Sequence, residues 1–342
     1  MSRQRNYRKI IISRTDSIGD VVLTLPLAGL LKKYYPGTSI VFLGQSYTRA
    51  VVEACQHADE FIDWKEVSSL PFPEQVKFLH NLQAGLILHV FPVKEIAHLA
   101  KRAGIPERMG STGRLYHYTT CNRLVRLSRK NSPLHEAMLN IRLASGLLPA
   151  SMIPTEDIPG LFGMSRIKSL PDSLERLIDL NRFNLILHPK SKGSAREWGS
   201  TNFAKLSTIL PVSDYKVFVT GTAAEGAMLK EEGFFEMAGE VTDITGKMSL
   251  DEMISFINTA DGLIAASTGP LHLAAALGKV ALGIYPPIRP MHPGRWAPLG
   301  KRAGYLVADK ECIQCRKTGP CQCMLNISPM QVKQKLDSMV NP

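Results

Sequence analysis

The chain has 342 residues, 44% of them apolar, and carries 41 Lys and Arg against 30 Asp and Glu, a formal charge of +11. That length exceeds what one core needs and suits two α/β domains, and the composition is that of a soluble globular protein. No apolar run is long enough to span a bilayer. The basic start leads straight into Ile10-Ile11-Ile12 with no apolar leader and small-residue cleavage site, so the expected compartment is the cytoplasm.

The charge is uneven. Residues 1–150 hold 20 Lys and Arg and 11 Asp and Glu, a net of +9; the remainder holds 21 and 19, a net of +2. The first half is therefore expected to face something anionic. No nucleic-acid-binding module and no aromatic-rich strand motif accompanies the basic residues, which argues against nucleic acid. An acidic membrane surface or an anionic substrate such as a phosphorylated glycolipid remains.

In chain order, residues 9–14 read as a strand and 15–20 as a turn with a single glycine, Gly19, which is no dinucleotide fingerprint. The turn instead carries two carboxylates, Asp16 and Asp20, ahead of a helix over 21–35 interrupted by Pro26. Asp20 reads either as a cap or dipole partner, worth about 1 kcal/mol, or as a general base at the carboxyl edge of a strand. Strands follow at 39–44, 60–64 and 86–91, with helices at 47–55, 75–82 and 94–103. Residues 105–130 show little periodicity and much charge, with Arg108, Arg114, Arg123, Arg126, Arg129 and Lys130 set around Tyr116, His117 and Tyr118. A solvated surface and a substrate-facing loop are both open there. A helix over 133–147 leads to residues 149–173, whose four prolines and two glycines suggest an interdomain linker.

The second half begins with a short helix at 174–180 and a strand at 183–188. A polar loop, 189–198, brings the cations Lys190, Lys192 and Arg196. A helix at 201–210 and a strand at 216–220 follow, and Gly221 to Glu225 open the next helix. A brief strand is expected at 240–243. Ser249 with Glu252 three residues on has the form of a capping box for a helix reaching 260. Residues 262–266 are apolar and uncharged, a strand buried on both faces, and 271–277 form an Ala/Leu-rich helix closed by Gly278.

Between these last two lies Ser267-Thr268-Gly269-Pro270. A helix start with no carboxylate over its amides is a ready anion site, here a diphosphate cradle. An ordinary capped turn is the competing reading. A buried strand at 280–285, a loop at 286–298 with five prolines, and an amphipathic helix at 329–339 complete the chain.

His188 ends a strand and reads equally as a backbone tether or a ligand contact. His272 reads as packing or as a donor contact, and Trp198 and Trp296 as loop anchors. Cys312, Cys315, Cys321 and Cys323 cluster near the end without a nearby histidine, and the second pair is too close for the usual zinc knuckle. Packed or occasionally oxidised thiols are expected there, with metal as the alternative.

An ordered set of motifs resembles the family 9 glycosyltransferases, the heptosyltransferases of lipopolysaccharide core assembly. The set is Ser17-Ile-Gly-Asp20 with Val-Val-Leu-Thr-Leu-Pro26, Arg196-Glu-Trp198, Thr220-Gly221 with Glu225, and Lys247-Met-Ser-Leu250. It continues with Ser267 to Leu277, the loop 289–298 and the Cys-x-x-Cys tail. The resemblance implies a GT-B fold of two Rossmann-like doubly wound α/β domains facing across a cleft. Residues 1–165 would bind the acceptor, 166–326 the nucleotide-sugar, and 327–342 would form a helix returning to the first domain.

The resemblance also implies an inverting, metal-independent transfer of heptose from an ADP-activated donor to the anionic lipopolysaccharide core, without a cofactor, at the inner membrane face. Asp20 would be the base. Ser191, Lys192 and Arg196 would contact the diphosphate, Glu225 and Met248 the nucleoside, and Thr268, Gly269, Pro270 and His272 would form the cradle. Ser17, Gly19, Arg114 and Arg123 are expected to meet the acceptor. Ser267 is a departure, since several members place an acidic, donor-contacting residue there. Two alternatives stay open: a same-fold transferase using another nucleotide-sugar, and a nucleotide-sugar or glycolipid binding protein without turnover.

Overall fold

Runs such as Ile10-Ile11-Ile12 and Leu263-Ile264-Ala265 are at most 1% exposed, because parallel strands joined through helices are covered on both faces. In a computed structural model, residues 6–129, 132–148, 153–308 and 321–340 are described. The chain divides into two compact units, Met1–Arg166 and Ile167–Pro342.

The first unit is built on β1 (Lys9–Ser13), β2 (Ser39–Gly44), β3 (Glu60–Asp63), β4 (Leu86–His89), β5 (Glu107–Ser111) and β6 (Arg123–Val125), in the order β3-β2-β1-β4-β5-β6. The second is built on β7 (Phe183–His188), β8 (Tyr215–Val219), β9 (Thr242–Asp243), β10 (Gly262–Ala266), β11 (Val280–Tyr285) and β12 (Ala303–Val307), in the order β12-β11-β10-β7-β8-β9. Every pairing in both sheets is parallel. Counted from its own first strand, each sheet has the same doubly wound order, and its connections part between first and fourth strands. In the first unit that point lies between β1 and β4; in the second, between β7 and β10.

Several local expectations are revised. The helix over 21–35 is two helices, Ile18–Val22 and Leu25–Tyr34, with Pro26 in the first turn of the second, where its missing N–H costs nothing. The aperiodic stretch 105–130 contains β5 and β6, and β12 was not anticipated. All three are short, and β5 and β12 each contain glycine, so periodicity has little to act on.

Within the expected linker, Thr155–Leu161 is a 3-10 helix whose Ile158 is fully buried, as is nearly Phe162. Gly163 accepts from the Gln56 amide and Met164 bridges Cys55, so this part packs on the first unit. The last helix, Pro329–Val340, was expected to return to the first domain. It instead places Val332 and Leu336 in the core of the second unit with Trp198 and Phe203. No helix among the described residues is long and apolar enough to cross a membrane.

Leu336 is fully buried in that core, so Leu336→Ala should destabilise the protein by about 2–5 kcal/mol. Urea denaturation would read this as a lowered midpoint with unchanged slope. A midpoint equal to that of the parent would mean that the helix does not belong to this core.

Candidate active site

The end of β1 delivers Arg14 into the first unit's interior, where it is 2% exposed. An isolated guanidinium could not remain there, and three carboxylates surround it. Arg14 Nε lies 2.7 Å from Asp16 Oδ1, Nη2 pairs with Asp20 Oδ1, and Nη1 is 3.5 Å from Glu136 Oε1. Burial opposes the arginine's charge, but Asp20, Asp16 and Glu136 together raise its pKa above the ordinary value. Helix Glu136–Leu143 also supplies Asn140, whose amide donates to the Leu23 carbonyl at 3.0 Å and to Thr24 Oγ1 at 3.1 Å. Arg129 binds Glu136 at 2.9 Å and Asn140 at 3.0 Å.

Asp20 sits in the first turn of helix Ile18–Val22, and Ser17 is that helix's N-cap. The Ser17 hydroxyl makes no capping bond and donates to Asp20 Oδ2 at 2.5 Å. Both carboxylate oxygens of Asp20 are held by side chains, Oδ1 by Arg14 and Oδ2 by Ser17, which favours a chemical over a capping role. Asp16 differs. Burial pushes its carboxyl up to about 7, opposed by Arg14 and reinforced by Asp20.

Ser17, buried Gly19 and Asp20 thus come together. Arg123 does not join them. Arg123 lies on β6, three strands from β1, roughly 14 Å at ordinary strand spacing, and is paired with Glu107 at 2.8 Å. Arg114 is exposed beside Leu115 and Tyr118. His117, in the stretch open to either a solvated surface or a substrate-facing loop, is fully buried, with Nδ1 2.8 Å from the Ser111 carbonyl.

In the second unit the loops after β7 and β10 emerge side by side, since Ala265 pairs with His188. Helix Gly269–Ala276 starts with Pro270 in its first turn and has no acidic residue there. Thr268 is its N-cap by backbone geometry, yet its side chain makes no capping bond. Its Oγ1 is buried and has no hydrogen-bond partner among the described residues. The ordinary capped turn is therefore not what forms, and the first amides keep the character of an anion site.

Ser267 hydrogen-bonds the buried Tyr285 phenol, whose hydroxyl donates to the Trp296 carbonyl. Gly269 and Pro270 are half-buried, and His272 is buried one turn further in.

His188 Nδ1 lies 3.0 Å from Thr220 Oγ1, and burial pushes its imidazole down to about 4, so it is neutral near pH 7. Glu225 forms a capping box: its Oε2 accepts from the Thr222 amide at 2.7 Å and hydroxyl at 2.9 Å. The box commits one carboxylate oxygen to the helix start. Met248 is half-buried just before the Ser249–Glu252 box, which forms as expected.

In the 189–198 loop, Ser191 is only 6% exposed, and both its amide and hydroxyl donate to Glu197 Oε1 at 2.9 Å. Lys190 is the buried cation, paired with Glu232 and Glu197; Lys192 is exposed with φ of 49°, and Arg196 is half-buried. Ser191 thus shapes the loop, while Lys192 and Arg196 are the cations it presents. Trp198 Nε1 donates to the Ile327 carbonyl and Trp296 Nε1 to that of Pro290, so both indoles anchor loops.

Among the described residues no group of three or more His, Cys, Asp or Glu is placed to hold a metal ion. Cys312 and Cys315 lie outside those residues. Cys321 and Cys323 pack on the second core. The residues missed by sequence reasoning are Arg14, Glu136, Asn140 and Lys190; an arginine directly after the apolar run Ile10-Ile11-Ile12 and Ser13 was the available signal for the first.

Residues 97–324 match the sequence profile of glycosyltransferase family 9 (heptosyltransferase). A Haemophilus influenzae protein named as a glycosyltransferase is 26% identical over 339 residues, covering 96% of this chain and 94% of its own. Lipopolysaccharide heptosyltransferase 2 of Escherichia coli is 22% identical over 351 residues, covering 97% and 98%. The solved E. coli ADP-heptose lipopolysaccharide heptosyltransferase II shares the fold, with a TM-score of 0.74 at 19% identity over 97% of this chain and 98% of that one.

The electrostatics of Asp16 can be tested through stability. Its folded pKa of about 7 lies above the ordinary 3.8, so its destabilising effect is absent below pH 3.8 and grows until the folded carboxyl also ionises. Asp16→Asn does not carry that cost. The Tm difference, variant minus parent, should therefore increase between pH 5 and pH 8. An equal difference at both pH values would contradict the assigned burial effect.

Proposed function

The chain belongs to glycosyltransferase family 9, the heptosyltransferases, and has their GT-B fold, and from this premise we propose that it transfers heptose from an ADP-activated donor to the lipopolysaccharide inner core, inverting the anomeric centre without a metal ion. The observation that carries the reading is the open start of helix Gly269–Ala276, where buried Thr268 leaves its hydroxyl and the first amides uncapped. A diphosphate supplies what that start lacks: acceptor oxygens and negative charge. The E. coli relative of known structure is named for ADP-heptose, which supports the choice of donor.

The chemistry follows from charge. Asp20 takes the proton of the acceptor hydroxyl while that oxygen bonds to the anomeric carbon. The bond from that carbon to the diphosphate breaks on the opposite face, and its electron pair leaves with ADP. The amides at Thr268 and Gly269, with Lys192 and Arg196, hold the developing charge; one such donor is typically worth about 3 kcal/mol. Met248 and Glu225 contact the nucleoside, Pro270 shapes the turn, and buried His272 supports it from below. Ser17 and Gly19 shape the acceptor side around Asp20.

The first 150 residues carry a net +9 (20 Lys and Arg less 11 Asp and Glu), which suits an acceptor bearing phosphates and carboxylates. Exposed Arg114, with Leu115 at 88% and Tyr118 at 57% exposure, suits peripheral contact with the anionic inner membrane face of the cytoplasm. Such contact should weaken as salt is raised in vesicle co-sedimentation, and salt-independent sedimentation would oppose it.

A second reading keeps the scaffold and changes the donor. Ser267 stands where several members have an acid, and its hydroxyl is engaged by Tyr285. A panel of nucleotide-sugars in single-turnover assays discriminates the two, and ADP binding with no transfer from any donor would favour a binding protein.

Asp20→Asn should lower transfer by at least about 10²-fold while leaving ADP affinity in calorimetry within about twofold. Near-parental turnover by this variant would remove Asp20 from the role. Transfer should also persist in EDTA, and a requirement for added magnesium or manganese would refute the metal-free reading.

A further inference from the structure

The turn that carries Asp20 carries a second carboxylate on the same guanidinium. Asp16 Oδ1 is 2.7 Å from Arg14 Nε, and Asp20 Oδ1 pairs with Arg14 Nη2. The third edge of Arg14 faces Glu136, which is 1% exposed and shared with Arg129 at 2.9 Å. Three carboxylates thus meet two guanidiniums in a region where Arg14 and Glu136 are all but withdrawn from water. Asp16 and Asp20 share the one Arg14 guanidinium, and two like charges held side by side favour keeping a proton on one of them.

Glu136 is ill placed to hold it, because two arginines contact it. Asp20 has Arg14 on one oxygen and the Ser17 hydroxyl on the other. Asp16 has only the Arg14 contact among the described side chains, and its Oδ1 meets no hydrogen-bond geometry. The proton's place is therefore the Asp16 side of the pair.

Resting on the heptosyl-transfer reading above, we infer that Asp16 keeps a proton beside Asp20 on Arg14, and that loss of that proton switches on the base that Asp20 supplies. Asp16 is a positioning residue in this scheme and touches no reacting atom. Its raised pKa, about 7, agrees with that placement.

The other groups facing Asp16 leave this balance in place. Tyr47, from the turn Ser46–Thr48, donates its hydroxyl to the Asp16 carbonyl at 2.9 Å, and both aspartates push its phenol pKa up after burial does. On the adjacent helix Arg49–Glu53, Arg49 lies 3.8 Å from Glu53 and over the Phe61 ring, so that pair adds no net charge.

The test compares the full-length parent, Asp16→Asn and Asp16→Glu, using ADP-heptose and purified inner-core acceptor between pH 5 and pH 9. In the parent, kcat/KM should rise through an acid limb near pH 7. In Asp16→Asn the limb should move at least one pH unit lower, with a plateau several-fold below the parent because the second negative charge is gone. Asp16→Glu should restore the parental limb. An infrared titration gives a readout independent of turnover: a protonated-carboxyl band in the parent at pH 6, absent in Asp16→Asn. Superimposable pH profiles for parent and Asp16→Asn, or a parent lacking the band, overturn the inference. A parent that shows the band but transfers no heptose would support the proton on Asp16 and count against the donor reading instead.

Discussion

Parallel strands cannot be joined by tight turns, so each connection in both sheets returns through a covering segment and leaves its loop at the carboxyl edge. In a doubly wound sheet neighbouring connections diverge at one place only, and that crevice is where side chains can gather without blocking a crossover. Here β1 and β4 form it in the first unit, and β7 and β10 in the second. Both chemically loaded turns, Arg14 to Asp20 and Ser267 to Pro270, leave the sheets at these points.

The two sites solve opposite electrostatic problems. The first unit buries a cation and surrounds it with carboxylates, so Asp20 is fixed in direction by Arg14 and Ser17 without being spent on a helix cap. The second leaves a helix start incomplete: Thr268 has the backbone of a cap but not its hydrogen bond, and no carboxylate covers the amides. Two other helices of the same unit carry complete capping boxes, with Thr222 and Glu225 in one and Ser249 and Glu252 in the other. The contrast matters because a capping box is worth about 1 kcal/mol to the fold. Forgoing it at helix Gly269–Ala276, which opens on the crevice, is consistent with a ligand doing the capping.

Those boxes also redistribute roles. Glu225 looks like a ligand contact when read by motif, yet one of its oxygens closes a helix start and its carboxylate lies beside neutral His188. Ser191 holds Glu197 and so shapes its loop, and Lys190 is the buried member of a cation set in which sequence reasoning chose Lys192. The same loop turns through positive φ at Lys192 and Gly193.

The sequence by itself determined the doubly wound α/β class, most strands and helices, the Ser249 box, and the turns bearing Asp20 and Thr268. These are local matters of apolar run length, glycine placement and hydroxyl-to-carboxylate spacing. It did not yield β5, β6 or β12, whose short segments are strands chiefly because a neighbouring strand offers hydrogen bonds. Nor did it place the last helix, since an amphipathic face fits any core and only packing with Trp198 and Phe203 chose one. Above all, it could not show that Arg14, Asp16, Asp20 and Glu136 share one site. Glu136 is over a hundred positions from the others, and only the fold brings its charge to the end of β1, where burial makes the balance between these groups decisive.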